Sequence, residues 1–290
     1  MAPVLVTGGA GSVGKRVVQQ LCSMGHTVRV FDLPNMDYSD LEGEKGIEVL
    51  RGDLTRADSV ETAVQDISAV IHLAALLPPA SERSRELTFA VNVEGTARVA
   101  EALKYANPNA PFVFSSSVST YGDTMGTQQP VTVDHPQQAL DIYAESKISA
   151  ERLLFESYPN VSILRISGIS VPSLQSPPEV WPFMVDQKIE FVHRDDVVTA
   201  LCAAVQVEKA KGHVFNIAGG NTWRTTGKAY VKDYFDLLGV PIEEAHFQER
   251  PGWCDWYDTE ESQRILSYQK TTYQAYLNQV QAEIDKMMQE

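Results

Sequence analysis

The stretch PVLVTGGAGSVGKRVVQQL, residues 3–21, decides the reading of the chain. Val4, Leu5 and Val6 are apolar and mostly β-branched, as a short buried strand requires. Glycines follow, and from Lys15 to Met24 the apolar residues Val17, Val18, Leu21 and Cys22 recur at helical spacing, with Gly25 where a helix ends. The turn between them, Gly9-Ala10-Gly11-Ser12-Val13-Gly14, fits G-x-G-x-x-G. Placed between a strand and a helix, such glycines allow a tight turn and let the backbone approach a pyrophosphate. The free N–H groups of the helix start then face that anion.

The next segment tests this dinucleotide reading. HTVRVFDL (26–33) is a second strand ending on Asp32. A carboxylate there accepts both ribose hydroxyls and repels a 2′-phosphate, and Leu33 rather than Arg follows it, so NAD is expected over NADP. Further strands are expected at 47–54, 69–76, 110–117 and 161–167, with helices near 57–66, 84–106 and 143–158. The apolar run AVIHLAAL (69–76) suits a central parallel strand covered on both faces. This alternation predicts an α/β fold, a Rossmann-type doubly wound parallel sheet with right-handed crossovers. The rhythm breaks after residue 168 at Pro172, Pro177, Pro178 and Pro182. A helix at 193–206, a strand at 213–219 and an amphipathic helix at 272–289 follow. The expected organisation is an NAD-binding domain, 1–167, and a smaller, mainly substrate-binding lobe, 168–290, some segments of which return to the sheet.

Tyr143 and Lys147 lie one helical turn apart and share a face. A tyrosine is a poor base at neutral pH, but a nearby ammonium and the positive nicotinamide ring favour the phenolate. The pair is the candidate general base and acid. Ser117 ends the strand 110–117, at the carboxyl edge where open parallel sheets bind ligands, and is placed to hold the substrate oxygen beside Tyr143. Ser115 and Ser116 are read as capping that strand.

The chain has 290 residues, 43% of them hydrophobic, enough for a sizeable core. Its net charge of −14 argues against nucleic-acid binding. Cys22, Cys202 and Cys254 are scattered, which fits a reducing compartment and no disulfide framework or metal site. No apolar run reaches the roughly 18 residues of a membrane span, and the start lacks a leader pattern, so a cytoplasmic protein is expected.

Thr7-Gly8-x-x-Gly11-x-x-Gly14, Asp53-Leu54, HLAA (72–75), NVEGT (92–96), SSSVSTYG (115–122) and YAESK (143–147) together resemble the extended short-chain dehydrogenase/reductase family. They occur in that family's order over residues 4–170, and FVHRDDVVTAL (191–201) resembles a later segment. The resemblance implies that Gly8, Gly11, Ser12 and Val13 contact the pyrophosphate, Asp32 the adenosine ribose, and Asp53 and Leu54 flank the adenine. It implies that Leu73, Ala74 and Ala75 line the cofactor's path, with Asn92 behind the nicotinamide half. Lys147 would also bind the nicotinamide ribose, Ser117 matches the catalytic serine, and a homodimer through the helices at 84–106 and 143–158 is implied.

Two reactions stand open. The serine segment resembles that of the UDP-galactose 4-epimerase branch, which implies a nucleotide-sugar epimerase; this is the first expectation. Val118 and Ser119 replace the Asp-Glu pair of sugar-nucleotide dehydratases, which disfavours dehydration. Between Pro172 and Phe191, however, no Arg is present to grip a diphosphate; Arg194, Arg224 and Arg250 are the candidate substitutes. The alternative is an NAD-dependent dehydrogenase or reductase of a smaller sugar, alcohol or ketone. A non-catalytic NAD-binding regulator is disfavoured by the intact Ser117, Tyr143 and Lys147. Trp181, Phe183 and Met184 are read as lobe packing before substrate contact. Trp253 and Trp256 are read as a packed loop before the final helix, with Asp258 or Thr259 as cap, ahead of the alternative that either lines the substrate entrance. His193 is read as structural.

Overall fold

Strand β1 (Val4–Thr7) puts Val4 and Val6 into one core layer and Leu5 into the opposite one, so both faces of the sheet must be covered. The computed structural model describes residues 2–128 and 130–288. Following β1 come α1 (Ser12–Ser23), β2 (Val28–Asp32), β3 (Ile47–Arg51), α2 (Ala57–Ala63) and β4 (Ala69–His72). Next are α3 (Arg85–Phe89), α4 (Thr96–Ala106), β5 (Phe112–Ser117), α5 (Ile142–Ser157) and β6 (Val161–Ile166). The strands are mostly shorter than expected; β4 stops at His72 and β3 at Arg51, because the chain turns into loops at the carboxyl edge. The helix expected over 84–106 is α3, one wide π turn at Ala90–Gly95, and α4.

The second half continues with β7 (Ile169–Ser170), β8 (Lys188–Glu190), β9 (Val192–His193), α6 (Arg194–Gln206), β10 (Val214–Ile217), β11 (Arg224–Thr226), α7 (Gly227–Leu238), α8 (Glu260–Leu266) and α9 (Tyr273–Met287). Residue 289 of the last expected helix lies outside the described residues. The large sheet has seven strands in the order β10-β6-β5-β4-β1-β2-β3, every neighbouring pair parallel. Its last strand, β10, comes from beyond residue 168, as does α6, which packs Val197, Val198 and Leu201 with Val17, Val18 and Leu21 of α1. The opposite face is covered by α2, α4 and α5 through Val60, Val99, Leu103 and Leu154.

Residues from the later part of the chain form a separate aromatic core. Trp181, Phe183, Trp223, Tyr230, Tyr234, Phe235 and Tyr276 pack there, so Trp181 and Phe183 serve lobe packing as expected. Thr259 precedes α8 without capping it by its side chain; Asp258 does so instead, its Oδ1 accepting the Glu260 N–H. His193 starts α6, its Nδ1 accepting the Asp195 N–H at 3.2 Å while Nε2 meets Gln279 at 2.9 Å. Its role is structural.

Candidate active site

The carboxyl edge of the sheet opens into a cavity of about 560 Å³ that runs from the glycine turn to Tyr143 and on to Trp253. Two glycines make its floor. Gly8 has φ +68°, and a Cβ there would sit 2.7 Å from the Ala74 nitrogen. A Cβ on Gly14 would overlap the Gly8 carbonyl. Only glycine lets β1, the loop after β4 and the start of α1 meet this closely, and Ser12 and Val13 of α1 then face the cavity.

Asp32 stands where the sequence places it, at the end of β2. Its Oδ2 accepts the Ala10 N–H at 3.0 Å and its Oδ1 the Leu33 N–H at 2.8 Å. Burial pushes this carboxyl above its usual value, and the two N–H donors partly offset that. Asp53 uses Oδ1 to hold the Thr55 N–H and hydroxyl, while Leu54 sits in the core under α4. Leu73 lines the cavity; Ala74 and Ala75 are half-buried in the loop beside it.

Asn92 sits on the π turn, buried, and does not line the cavity. Its side chain accepts the Leu76 N–H at 2.7 Å and donates to the Leu76 carbonyl and to Ser146 Oγ. It anchors the loop that carries Leu77 and Pro78 into the cavity wall. A π turn at such a place is common near functional sites.

Behind the glycine turn runs a hydrogen-bond chain that sequence reading missed. Thr96 Oγ1 donates to the Asn92 carbonyl at 2.7 Å, so it accepts from His72 Nε2–H at 2.9 Å. His72 Nδ1 therefore accepts from Thr7 Oγ1 at 2.7 Å, and Thr7 Oγ1 accepts from the Ala74 N–H at 3.4 Å. Burial first, then the Lys147 charge, holds the His72 ring down to about 3, which keeps it neutral as this chain demands.

β5 delivers the serines. The Ser116 hydroxyl donates to the buried carboxylate Glu151, while Ser117, on the cavity wall, accepts the Ser119 N–H at 3.1 Å. Ser115 offers its carbonyl to Lys147 Nζ at 2.8 Å. The expected capping role is thus replaced by support of Glu151 and Lys147. Lys147 is buried, 5.7 Å from the centre of the Tyr143 ring, and burial lowers it to about 8, partly countered by Glu151.

Tyr143 lines the cavity opposite Ser117. Its phenol is pushed up, by burial first and then by Asp141, so in the protein alone burial outweighs the help expected from Lys147. Two carboxylates missed in the sequence hold the start of α5: Asp141 Oδ1 accepts the Ala144 N–H at 2.7 Å, and Glu82 accepts the Ile142 and Tyr143 N–H groups at 2.9 and 3.1 Å. The N-cap signal of Asp141 was readable; Glu82, from a turn sixty residues away, was not. Trp253 closes the far wall, whereas Trp256 donates to the Thr225 carbonyl and stays outside.

The sequence model described as the NAD dependent epimerase/dehydratase family matches residues 4–167. The chain belongs to this family. The family is described as NAD-dependent, and the glycine turn, Asp32 and the cavity leading to Tyr143 fit that cofactor. The chain is 37% identical over 161 residues to the 3 beta-hydroxysteroid dehydrogenase/Delta 5-->4-isomerase of Mycobacterium tuberculosis, covering 52% of this chain and 41% of that protein. It is 32% identical over 154 residues to the UDP-glucose 4-epimerase of Lactobacillus helveticus, covering 52% and 46%. It thus spans less than half the length of these two relatives. A short-chain dehydrogenase/reductase superfamily protein from Agrobacterium tumefaciens, solved with bound NAD, superposes with TM-score 0.81 at 24% identity over 98% of each chain, a likeness of fold.

Proposed function

We propose that this family member is an NAD-dependent dehydrogenase or reductase that interconverts an uncharged secondary alcohol and its ketone. One observation carries the reading: among the described residues, the cavity wall has no Arg or Lys. The three arginines that could have gripped a diphosphate are elsewhere. Arg224 is bound to Glu190 and the Tyr257 carbonyl, Arg194 pairs with Asp195, and Arg250 is exposed. The wall carries instead apolar Leu77, Ile169 and Trp253 beside the uncharged Ser119 and Ser167. This reverses the order of the two reactions expected from the sequence.

Residues 1–167 hold the cofactor in this reading, and the later chain, apart from α6 and β10, covers the substrate. NAD supplies the hydride acceptor. Gly8, Gly11, Ser12 and Val13 hold the pyrophosphate and Asp32 the ribose; Asp53 and Leu54 flank the adenine, with Leu73, Ala74 and Ala75 along the path. Asn92 fixes the loop behind the nicotinamide. Ser117 accepts a backbone N–H and so keeps its own proton to donate to the substrate oxygen. Tyr143 takes or returns the hydroxyl proton, and Lys147 holds positive charge beside it. The protein forms a homodimer through α4 and α5, which expose Tyr105 and Phe155; light scattering checks this.

The test is absorbance at the NADH band with NAD and a panel of small alcohols, free sugars, sugar acids and UDP-sugars. Sustained NADH with a neutral alcohol is expected. Conversion of a UDP-sugar to its epimer without net NADH would replace this reading by the nucleotide-sugar epimerase, which the serine segment favours as the second reading.

A further inference from the structure

We propose that Asp141 selects the substrate by charge: its carboxylate, on the cavity wall with Ser117 and Tyr143, receives a hydroxyl or cationic group and turns anionic groups away. This rests on reading the cavity as the substrate site. Among the described residues, Asp141 carries the one formal charge of the cavity wall. Its other duty does not need that charge. As N-cap of α5 it uses one oxygen, Oδ1, on the Ala144 N–H, and Ser, Thr or Asn caps a helix about as well. The remaining amides of that turn are served by Glu82, which takes the Ile142 and Tyr143 N–H groups. A half-buried carboxylate where a neutral cap suffices is a cost without a structural return; burial indeed pushes Asp141 upward, and Glu82 adds to this.

The return lies in the cavity. Three charged groups stand around the start of α5: Asp141 ahead of it, Glu82 from the turn at Ala80–Arg83 on the Ile142 and Tyr143 amides, and Lys147 one turn further on beside the Tyr143 ring. The ammonium itself is not on the cavity wall; it donates to the Ser115 carbonyl at 2.8 Å. An anion entering past Leu77 and Trp253 therefore meets Asp141 with no cation on the wall to offset it. The same negative charge works against the Tyr143 phenolate.

The experiment compares wild type with Asp141→Asn and Asp141→Ser, both of which retain a capping oxygen. The probes are cyclohexanol and cyclohexanecarboxylate, bound to the NADH complex, where neither can react, and followed by calorimetry. Wild type should prefer the alcohol. Both variants should bind the carboxylate about tenfold tighter or more, the effect of a unit charge across a partly screened site. In alcohol oxidation with NAD, the rising limb of kcat/KM should move about one pH unit lower in the variants; loss of a cap alone would not move it. Equal binding of both probes to wild type, or an unchanged preference in the variants, overturns the proposal, as does absence of binding of either probe. If cyclohexanol binds but no alcohol is oxidised, the dehydrogenase reading falls while the binding preference still decides the role of Asp141.

Discussion

Tyr143 begins the reaction at a disadvantage: burial and Asp141 raise its phenol, and Lys147, lowered to about 8, stands against a backbone carbonyl. Removing the hydroxyl by Tyr143→Phe should lower kcat by about 10²–10⁴-fold with NAD affinity kept, as steady-state rates and cofactor titration will show. His72 makes a separate prediction. Its ring titrates near 3 in the fold against an ordinary 6.5, so between those values the unfolded chain binds the extra proton. Stability is therefore full above 6.5 and falls by about 1.4 kcal/mol for each pH unit below it, down to about 3. Urea unfolding at pH 7 and pH 5 should show this slope, and His72→Asn should flatten it. The residues named from sequence were those whose chemistry demands one residue type: the glycines, Asp32, Ser117, Tyr143 and Lys147. Those missed, Glu82 and the Thr7–His72–Thr96 chain, have common side chains made specific only by distant partners. The arginine question was raised by the sequence, but its answer needed the Glu190 and Asp195 pairings.

At the level of elements, α5 is tied to β6 by a buried ion pair. Arg165 donates to Glu151 through Nε and, at 2.7 Å, through Nη2; Gln137 and Ser116 also hold Glu151. Arg165 Nη1 reaches Tyr121 and the Val133 carbonyl, so the network fastens the loop after β5 as well. Glu151→Ala would leave the guanidinium buried without its counter-charge, and a loss of about 3–5 kcal/mol in urea unfolding is expected. The double change Glu151→Leu with Arg165→Met should cost less. Strand and helix alternation was legible because the buried strands are dominated by apolar residues, Ala69–Ile71 in β4 and Val161, Ile163, Leu164 and Ile166 in β6. The π turn was not: Ala90–Gly95 keeps helical periodicity on both sides, and only the pull of Asn92 toward Leu76 marks it. Helix α7 was overlooked because its Tyr230, Tyr234 and Phe235 suit strands as readily as helices, and α8 because it is short and mostly polar.

Across the whole molecule, the halves of the chain are interleaved. α6 and β10 complete the layers begun by the first 167 residues, and the cavity joins the glycine turn to Trp253. A fragment ending at residue 167 should fail to give a cooperative unfolding transition in circular dichroism, since Leu164 and Ile166 lose the cover of α6 and β10. The strand order has a bearing on birth as well as on stability. During translation β6 is made well before β10, its neighbour on the outer side. Until residues 214–217 leave the ribosome, Val161–Ile166 offers a bare row of amides and carbonyls beside apolar side chains, open to the wrong partner. In that interval the nascent chain is open to entanglement with its neighbours on the polysome, and a pause there would prolong the exposure.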